Sequence, residues 1–242
     1  MNDLIFGLRA IIEAIEAGKE IDKILLKKDM QSDLAKELFA VVKGRNIPVV
    51  RVPVERIDRI TKKNHQGAIA FISPITYQRI TDIIPYLYEA GKSPLIVVLD
   101  GVTDVRNFGA IARTCECAGV DAIVLSQSGS APVNADAIKT SAGALMSIPV
   151  CREHNLAYVL QFMKDSGIKL IAASEKAAKD YTLLSYTEPT AIVMGAEDIG
   201  ISQSILALCD ESARIPILGE IASLNVSVAA GILIYEAVRQ RK

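Results

Sequence analysis

The feature that most constrains the fold is a series of five short, continuous apolar runs in the last two-thirds of the chain, separated by segments with helical spacing. Such runs are typical of strands buried on both faces, and their alternation with helices predicts βαβ units around a parallel sheet. The predicted strands are Leu95–Leu99, Ala122–Leu125, Lys169–Ala173, Ala191–Met194 and Ala213–Ile217. Because ligands bind at the carboxyl ends of parallel strands, functional residues are expected directly after these runs.

The start of the chain predicts a smaller α/β unit. Leu4–Ala17 has helical spacing, and Ser32 or Asp33 is expected to cap a second helix. Three further strands are predicted at Lys23–Leu26, Pro48–Val52 and Ala68–Ile72. Ser73–Pro74 then interrupts the pattern. We therefore predict an N-terminal domain over residues 1–73, a linker over 74–80 and a larger α/β domain over 81–242.

Composition narrows the class of protein. The chain has 242 residues, half of them apolar, which is enough for a core in each predicted domain. No apolar run reaches the ~18–20 residues that a membrane-spanning helix needs, and Met1–Glu13 lacks the pattern of a signal peptide, so a cytoplasmic protein without membrane attachment is expected. Four cysteines without a C-x-x-C pair, with only two histidines, predict neither a metal site nor a disulfide framework.

Charge is distributed unevenly along a chain whose net charge is −1. The segment Lys43–Lys63 contains seven basic residues against Glu55 and Asp58. A local positive patch of this kind suits contact with RNA phosphates, although a solvated face without a function has the same composition. The basic residues are Lys43, Arg45, Arg51, Arg56, Arg59, Lys62 and Lys63.

The first segment that predicts chemistry is Asp100–Thr114, which follows a strand and opens a helix. Asn107 is a good N-cap residue. Arg113 lies off the predicted buried stripe and four residues after Gly109, on the same helix face, so the glycine is expected to leave space there for a ligand or phosphate. A capped helix with a surface arginine is the alternative.

The second segment is Ile192–Ser202, in which a strand runs into Gly195 and is followed at once by Glu197. A glycine at the end of a strand permits close approach of the backbone to a ligand. The Glu197 carboxylate is placed to accept a hydrogen bond from a cationic or hydroxyl group. An ordinary turn between strand and helix is the alternative.

The third segment is Arg214–Glu236. Ser223 or Asn225 is expected to cap its helix, and the helix then presents apolar residues at helical spacing, many of them small. A face rich in small residues predicts very close packing against another element. Core packing alone would explain the apolar stripe, and capping is compatible with a functional role for the two polar residues.

The common nucleotide-binding fingerprints are absent. The chain contains neither the dinucleotide-binding motif G-x-G-x-x-G nor the Walker A motif that binds nucleotide phosphates. A parallel-sheet oxidoreductase with a dinucleotide cofactor is therefore not favoured, and a nucleotide-like cofactor would have to bind in another way.

Together, the three segments resemble the three motifs of the SpoU (TrmH-like) family, which comprises 2′-O-ribose methyltransferases of the SPOUT superfamily. The matching stretches are Asn107–Arg113, Met194–Gly200 and Ile215–Gly219 with Ser223–Ser227. They occur in family order and spacing over about 140 residues. Phe6–Gly7 and His65–Gly67 are similar to the family's N-terminal substrate-binding domain, which is L30e-like.

The resemblance implies a specific fold and assembly. The C-terminal α/β domain would be a SPOUT domain with a deep trefoil knot at about residues 195–235, a rare exception to the rule that chains do not thread loops. S-adenosylmethionine would be the cofactor, held by the knot loops. The protein would be a homodimer with the active site at its interface.

The resemblance also implies roles for individual residues. Arg113, with Asn107, Glu197, Ser223 and Asn225, would form the catalytic group. Because a guanidinium stays protonated, Arg113 is easier to interpret as stabilising an alkoxide or holding a phosphate than as a base. The cofactor-binding residues would be Gly195, Ile215, Leu218 and Leu224. RNA would contact Arg106 and the basic stretch, in particular Lys43, Arg45, Arg51, Arg59, Lys62 and Lys63.

The activity that the resemblance implies is 2′-O-methylation of RNA, most specifically of a guanosine in the P loop of 23S rRNA. Methylation of another rRNA site or of tRNA is the first alternative. The second is a non-catalytic RNA-binding factor in ribosome assembly that keeps the fold.

Overall fold

The computed structural model describes residues 4–242. The chain divides into two compact units. The first contains the chain up to Thr76 together with Val133–Ala135, and the second contains Tyr77–Pro132 and Asp136–Lys242. Within the described residues, no helix is both long enough and apolar enough to cross a membrane.

The first unit is built on a four-stranded sheet with the order β1-β4-β2-β3. Strands β2 and β3 are parallel, and the other two pairs are antiparallel. The strands are β1 (Leu4–Phe6), β2 (Ile21–Lys27), β3 (Val49–Val52) and β4 (Ala68–Ile72). The helices are α1 (Leu8–Glu16), α2 (Asp33–Val42) and α3 (Val54–Ile60).

The prediction of one helix over Leu4–Ala17 is wrong at its start. Leu4–Phe6 forms a strand that pairs with β4, and α1 begins only at Leu8. Gly7 separates the two elements with a φ of 82°, a conformation that glycine adopts without strain. An apolar run followed by an apolar-faced helix has no polar break that the sequence pattern could detect.

The second unit contains a seven-stranded sheet with the order β7-β6-β5-β10-β8-β11-β9, and every neighbouring pair is parallel. The strands are β5 (Leu95–Asp100), β6 (Ala122–Ser126), β7 (Val150–Glu153), β8 (Lys169–Ala173), β9 (Lys179–Asp180), β10 (Thr190–Gly195) and β11 (Glu211–Arg214). The helices are α4 (Ile80–Glu89), α5 (Val105–Ala118), α6 (Ala135–Thr140, all but its first residue), α7 (Leu156–Asp165), α8 (Gln203–Leu206) and α9 (Val226–Gln240). Two 3₁₀ turns lie at Ala144–Met146 and Tyr181–Leu183.

The parallel α/β sheet expected from the apolar runs is confirmed, but its edges differ from the prediction. The last predicted strand, Ala213–Ile217, is Glu211–Arg214 in the structure; Pro216, beyond its end, has no N–H to donate to a ladder. Strand β7 was not predicted because it carries Arg152 and Glu153, which are both buried. The Arg152 guanidinium stacks 3.8 Å from the Tyr77 ring centre, and the Glu153 carboxylate accepts the Ile80 N–H at 2.9 Å.

The apolar face of α9 is buried, but at Gly231 it packs less tightly than the sequence predicts. This helix lies against α5 and β10, with Ala230, Leu233 and Ile234 fully buried. A methyl group built at Gly231 would lie 3.8 Å from Thr114 Cγ2 on α5, an ordinary van der Waals contact. The segment after β11 therefore returns to the two elements whose ends form the site described below.

Candidate active site

Three polar side chains from three distant segments meet at the carboxyl end of the sheet. Asn107 Nδ2 donates to Glu197 Oε1 at 2.5 Å, and Asn225 Nδ2 donates to the same oxygen at 3.0 Å and to Asn107 Oδ1 at 3.0 Å. We call these three residues the polar triad. All three belong to the catalytic group predicted from the sequence, and they contact each other although up to 118 residues separate them.

Asn107 reaches the triad because it does not cap its helix, contrary to the sequence prediction. The N-cap of α5 is Asp104, whose Oδ1 accepts the N–H groups of Arg106 at 2.7 Å and Asn107 at 2.9 Å. With Asp104 in that role, the carboxamide of Asn107 in the first turn is left to bond Glu197.

Glu197 lies in a tight loop at the end of β10. Ala196 and Gly200 exchange two backbone hydrogen bonds, at 3.1 and 2.9 Å, which close this loop. A methyl group built at Gly195 would lie 2.2 Å from both Gly200 C and Ile201 N. Glycine is therefore required at 195 by the loop's own backbone, whereas the sequence interpretation assigned its small size to the approach of a ligand.

Asn225 is the N-cap of α9, one of the two capping residues that the sequence proposed. Its Oδ1 accepts from Ser227 N at 2.9 Å and from Ser227 Oγ at 2.6 Å, which orients the carboxamide so that Nδ2 faces the triad. Ser223, the other candidate, does not cap α9; it lies exposed in the loop before the helix. Capping and site formation are thus performed by one side chain.

A cavity opens beside the triad, with about 670 Å³ of empty space that includes space open to solvent. Its walls are mainly apolar, and its polar side chains are Ser174, Glu175, Glu197 and Ser223. This lining fits a small-molecule site, since such sites are typically apolar with a few placed polar groups. The predicted cofactor residues Gly195, Ile215 and Leu224 line it, together with Met194, Val226 and Leu233.

Ser174 and Glu175 were missed as site residues although they directly follow β8. The expectation that functional residues follow the strands would have selected them, but they lie outside the three recognised motifs. The fourth predicted cofactor residue, Leu218, does not line the cavity and is 98% exposed.

The loop over residues 215–224 provides the cavity with unused main-chain groups. Within residues 4–242, none of its backbone N–H groups donates a hydrogen bond to the protein. Ile217, Leu218 and Ile221 are exposed on it. Free amides and carbonyls next to apolar side chains suit recognition of a flat heterocycle by its polar edge and faces.

Arg113 stands apart from the triad. It is exposed, and it makes no hydrogen bond or ion pair with the part of the chain that the structure describes. With 3.6 residues per turn, it lies about 120° around α5 from Asn107. Nor is the space at Gly109 open: a methyl group there would lie 2.7 Å from Thr140 Cβ and 3.1 Å from Ala137 O, because α6 packs against this face.

The six basic residues predicted to contact RNA in the first unit are all exposed. Two are already engaged, since Arg51 Nη1 donates to Lys28 O at 2.6 Å and Arg45 Nη1 donates to Ile15 O at 3.4 Å. Lys63 Nζ lies 5.3 Å from the centre of the Phe6 ring. Lys43, Arg59 and Lys62 complete the set, and Arg106 is exposed on α5 in the second unit.

The described chain shows no metal-binding cluster, and three of its four thiols are poor nucleophiles, whereas Cys117 is exposed. Residues 4–242 contain no group of three or more His, Cys, Asp or Glu side chains that could hold a metal ion. Burial raises the pKa of the Cys115 and Cys151 thiols, and burial raises that of Cys209 to about 11. These three thiols are therefore protonated at neutral pH and are poor nucleophiles.

Comparison with known proteins places both parts of the chain in described families. Residues 94–235 match the SpoU rRNA Methylase family, and residues 4–78 match the family described as RNA 2′-O ribose methyltransferase substrate binding. The 23S rRNA (guanosine-2′-O-)-methyltransferase RlmB of Photobacterium profundum is 35% identical over 243 residues, covering 100% of this chain and 99% of that protein.

Two further matches cover nearly the whole chain. A Staphylococcus saprophyticus protein, whose name places it in the TrmH family of tRNA/rRNA methyltransferases, is 33% identical over 98% of this chain and 96% of its own. The crystal structure of the SpoU methyltransferase AviRb from Streptomyces viridochromogenes, in complex with the cofactor AdoMet, aligns with a TM-score of 0.63 and 25% identity. That alignment covers 99% of this chain and 90% of AviRb.

Proposed function

Because the chain belongs to the SpoU rRNA methylase family and is an S-adenosylmethionine-dependent RNA 2′-O-methyltransferase, we propose that it methylates a guanosine in the P loop of 23S rRNA. The observation that carries this target is the 35% identity to a 23S rRNA (guanosine-2′-O-)-methyltransferase over both units. An rRNA substrate implies a reaction in the cytoplasm.

The cavity beside the triad fits the cofactor chemically. S-adenosylmethionine supplies a methyl group that is already activated on a sulfonium, so the protein has to hold and align the reactants. Ile215, Leu224 and the unused amides of the 215–224 loop would bind the adenine, and Gly195 lines the same cavity. The carboxylates of Glu175 and Glu197 line the same cavity and favour a cation there.

The polar triad would hold the ribose that accepts the methyl group. Both carboxamides donate to Glu197 Oε1, whereas Oε2 makes no hydrogen bond within residues 4–242 and is left to accept from a ribose hydroxyl. Ser223 supplies a further hydroxyl at the cavity wall. Fixing a hydroxyl within reach of the methyl donor is the main contribution that a protein makes to such a displacement.

Arg113 would stabilise the developing alkoxide or hold the neighbouring phosphate, since a guanidinium does not act as a base at neutral pH. Its position on α5, about 120° from Asn107, supports a homodimer in which each Arg113 acts in a site completed by the second copy. Exposed apolar residues at Val228 and Tyr235 on α9, each 51% exposed, also support burial by another copy. The proposal includes the deep trefoil knot over about residues 195–235, which the return of the chain from β11 to pack α9 on α5 supports.

The first unit would recruit the RNA. Its match to a substrate-binding family over residues 4–78 and its exposed basic residues support this role. The lysines Lys43, Lys62 and Lys63 and the arginine Arg59 are the strongest candidates, because Arg45 and Arg51 are tied to main-chain carbonyls.

Methylation of tRNA is the second candidate, because the Staphylococcus relative is named for tRNA and rRNA together. Purified protein should be given a methyl-labelled cofactor with a 23S rRNA fragment containing the P loop, a 16S rRNA fragment or bulk tRNA, and the modified ribose mapped. We expect label on one P-loop guanosine 2′-oxygen. Label on tRNA alone, or at another rRNA site, would overturn the proposed target.

The role of Arg113 has its own test. Arg113→Ala should abolish methylation while cofactor affinity, measured by calorimetry, stays close to wild type. Turnover within about tenfold of wild type, equivalent to only about 1.4 kcal/mol of barrier, would show that Arg113 is not the group that activates the hydroxyl.

A further inference from the structure

We propose that a cleft between α5 and α6, next to the polar triad, binds a phosphodiester of the RNA strand that carries the methylated nucleotide. We call it the α5–α6 cleft; it is lined by Thr103, Asp104, Val105, Arg106, Asp136, Lys139 and Thr140. The inference deepens the proposed function and rests on an RNA substrate, but not on which RNA is modified.

The cleft continues from the active site. Thr103 and Asp104 line both the α5–α6 cleft and the space around Asn107 and Glu197. Glu197, in turn, lines both that space and the cofactor cavity. In an RNA strand the 2′-hydroxyl and the 3′-phosphate sit on adjacent ribose carbons, so a ribose held by the triad places a phosphate close beside it. The α5–α6 cleft is the neighbouring space into which the strand can continue.

The two cations of the cleft are available to a ligand. Arg106 and Lys139 are both exposed, and neither side chain makes an ion pair or hydrogen bond with another described residue. The nearest carboxylate in sequence, Asp104, accepts the N–H groups of Arg106 and Asn107 at Oδ1 and makes no ion pair with either cation. The side chains of Thr103 and Thr140 add hydroxyl donors, and Asp136 is the one other acidic side chain of the lining. This donor set matches a phosphate monoanion.

Close packing of α6 on α5 creates the cleft. Gly109 has no side chain, and Thr140 fills that place, with Ala137 O also within 3.1 Å of where a methyl group would lie. The end of α6 is held by Ser141, which is fully buried and donates its hydroxyl to Ile138 O at 3.0 Å. The next residues turn sharply, with φ of 51° at Ala142 and 87° at Gly143. Lys139 is thereby fixed beside the first turn of α5.

The test uses the full-length protein and charge removal at each cation. Arg106→Gln and Lys139→Gln should each raise KM for the RNA substrate about three- to tenfold and lower the slope of log K against log salt by ~0.7–0.9, as expected for one lost phosphate contact. The Kd for S-adenosylmethionine should not change. Binding is measured on the 23S rRNA fragment and on a homopolymer RNA, because a phosphate contact is independent of sequence.

Control variants distinguish loss of a phosphate contact from misfolding, and failure of this inference from failure of the proposed RNA target. Lys242→Gln removes an exposed lysine near Leu95, at the amino end of β5 and thus at the opposite end of the sheet, and should leave the slope unchanged. Arg106→Lys keeps the charge and should restore most of the slope. If Arg106→Gln and Lys139→Gln behave like Lys242→Gln on both RNAs, the cleft does not bind phosphate. Failure of the 23S target would instead appear as wild-type protein that binds RNA but does not methylate that fragment.

Discussion

Replacing Gly195 by alanine tests how the end of β10 builds the site. The added methyl group would lie 2.2 Å from Gly200 C and Ile201 N, whereas non-bonded carbon atoms are comfortable at ~3.5–4.0 Å. The atoms it meets are backbone, so no side chain can rotate out of the way. The loop from Ala196 to Gly200 has to move by more than an ångström.

The expected cost follows from what that movement breaks. Two backbone hydrogen bonds, at 3.1 and 2.9 Å, close the loop, and losing both costs about 1–3 kcal/mol. Overpacking that the movement does not relieve costs about 1–3 kcal/mol more. We expect Gly195→Ala to lower the free energy of unfolding by about 2–6 kcal/mol, which reaches the large values known for substitutions that strain packed backbone. Because Glu197 belongs to this loop and would move with it, the Kd for the cofactor should rise at least tenfold.

The chain offers a probe specific to the second unit. It has no tryptophan, and all seven tyrosines lie at or after Tyr77, so tyrosine fluorescence during urea unfolding reports this unit alone. Gly219→Ala is the matched control, because a methyl group there would meet nothing within 4 Å; it should change stability by less than about 0.5 kcal/mol. A Gly195→Ala protein as stable as the Gly219→Ala control would refute the reasoning.

Three further predictions concern groups outside that loop. Arg241→Ala should destabilise the second unit by about 2–4 kcal/mol in the same urea assay, because Arg241 donates to four main-chain carbonyls that would lose this donor. The control Lys242→Ala should have little effect on stability. Glu197→Gln should reduce methyl transfer at least a hundredfold in a single-turnover assay while leaving the fold intact, since the carboxamide oxygen can still accept from Asn107 and Asn225 but the negative charge is lost and Oε2 becomes an NH2 donor; activity within threefold of wild type would contradict this. Hydrogen bonds from Lys169 and Lys179 lower the pKa of Glu211 in the folded protein. The stabilisation that its carboxylate gives to the fold should therefore be present above the unfolded pKa of ~4.3 and be lost as the pH falls through the lower folded value. The Glu211→Gln variant should lack this pH dependence, and curves of unfolding free energy against pH that run parallel for variant and wild type would disprove it.

The sequence predicts the centre of the fold and the convergence of its site for one physical reason. The central strands β5 and β10 are buried on both faces and read as uninterrupted apolar runs, and parallel strands bring their carboxyl ends to one edge. Asn107 and Glu197 follow these strands and therefore meet. Asn225 joins them from the start of α9, where a capping residue was expected.

The errors arise where tertiary contacts override local pattern. The charged residues of β7 break the apolar pattern from which a buried strand is predicted. Arg152 is nevertheless buried because it stacks on Tyr77, which lies in a different segment of the chain. The sequence predicts space for a ligand at Gly109 and Gly195, but in the structure α6 and the loop after β10 fill that space. Asp104 rather than Asn107 caps α5 because the helix begins at Val105, which leaves Asn107 inside the first turn, where it contacts Glu197.

The pairing of β5 with β10 has a consequence for how this chemistry can arise. Asn107 and Glu197 are 90 residues apart, and Asn225 is 28 residues further on, so a contiguous fragment has to span the 118 residues from Asn107 to Asn225 to contain the whole triad. Contacts between residues so far apart in sequence form slowly, and only after the intervening strands have paired in the sheet. A shortened gene product that stops before α9 would lack Asn225 and would have no activity at all. Selection for activity therefore acts on the whole second unit at once.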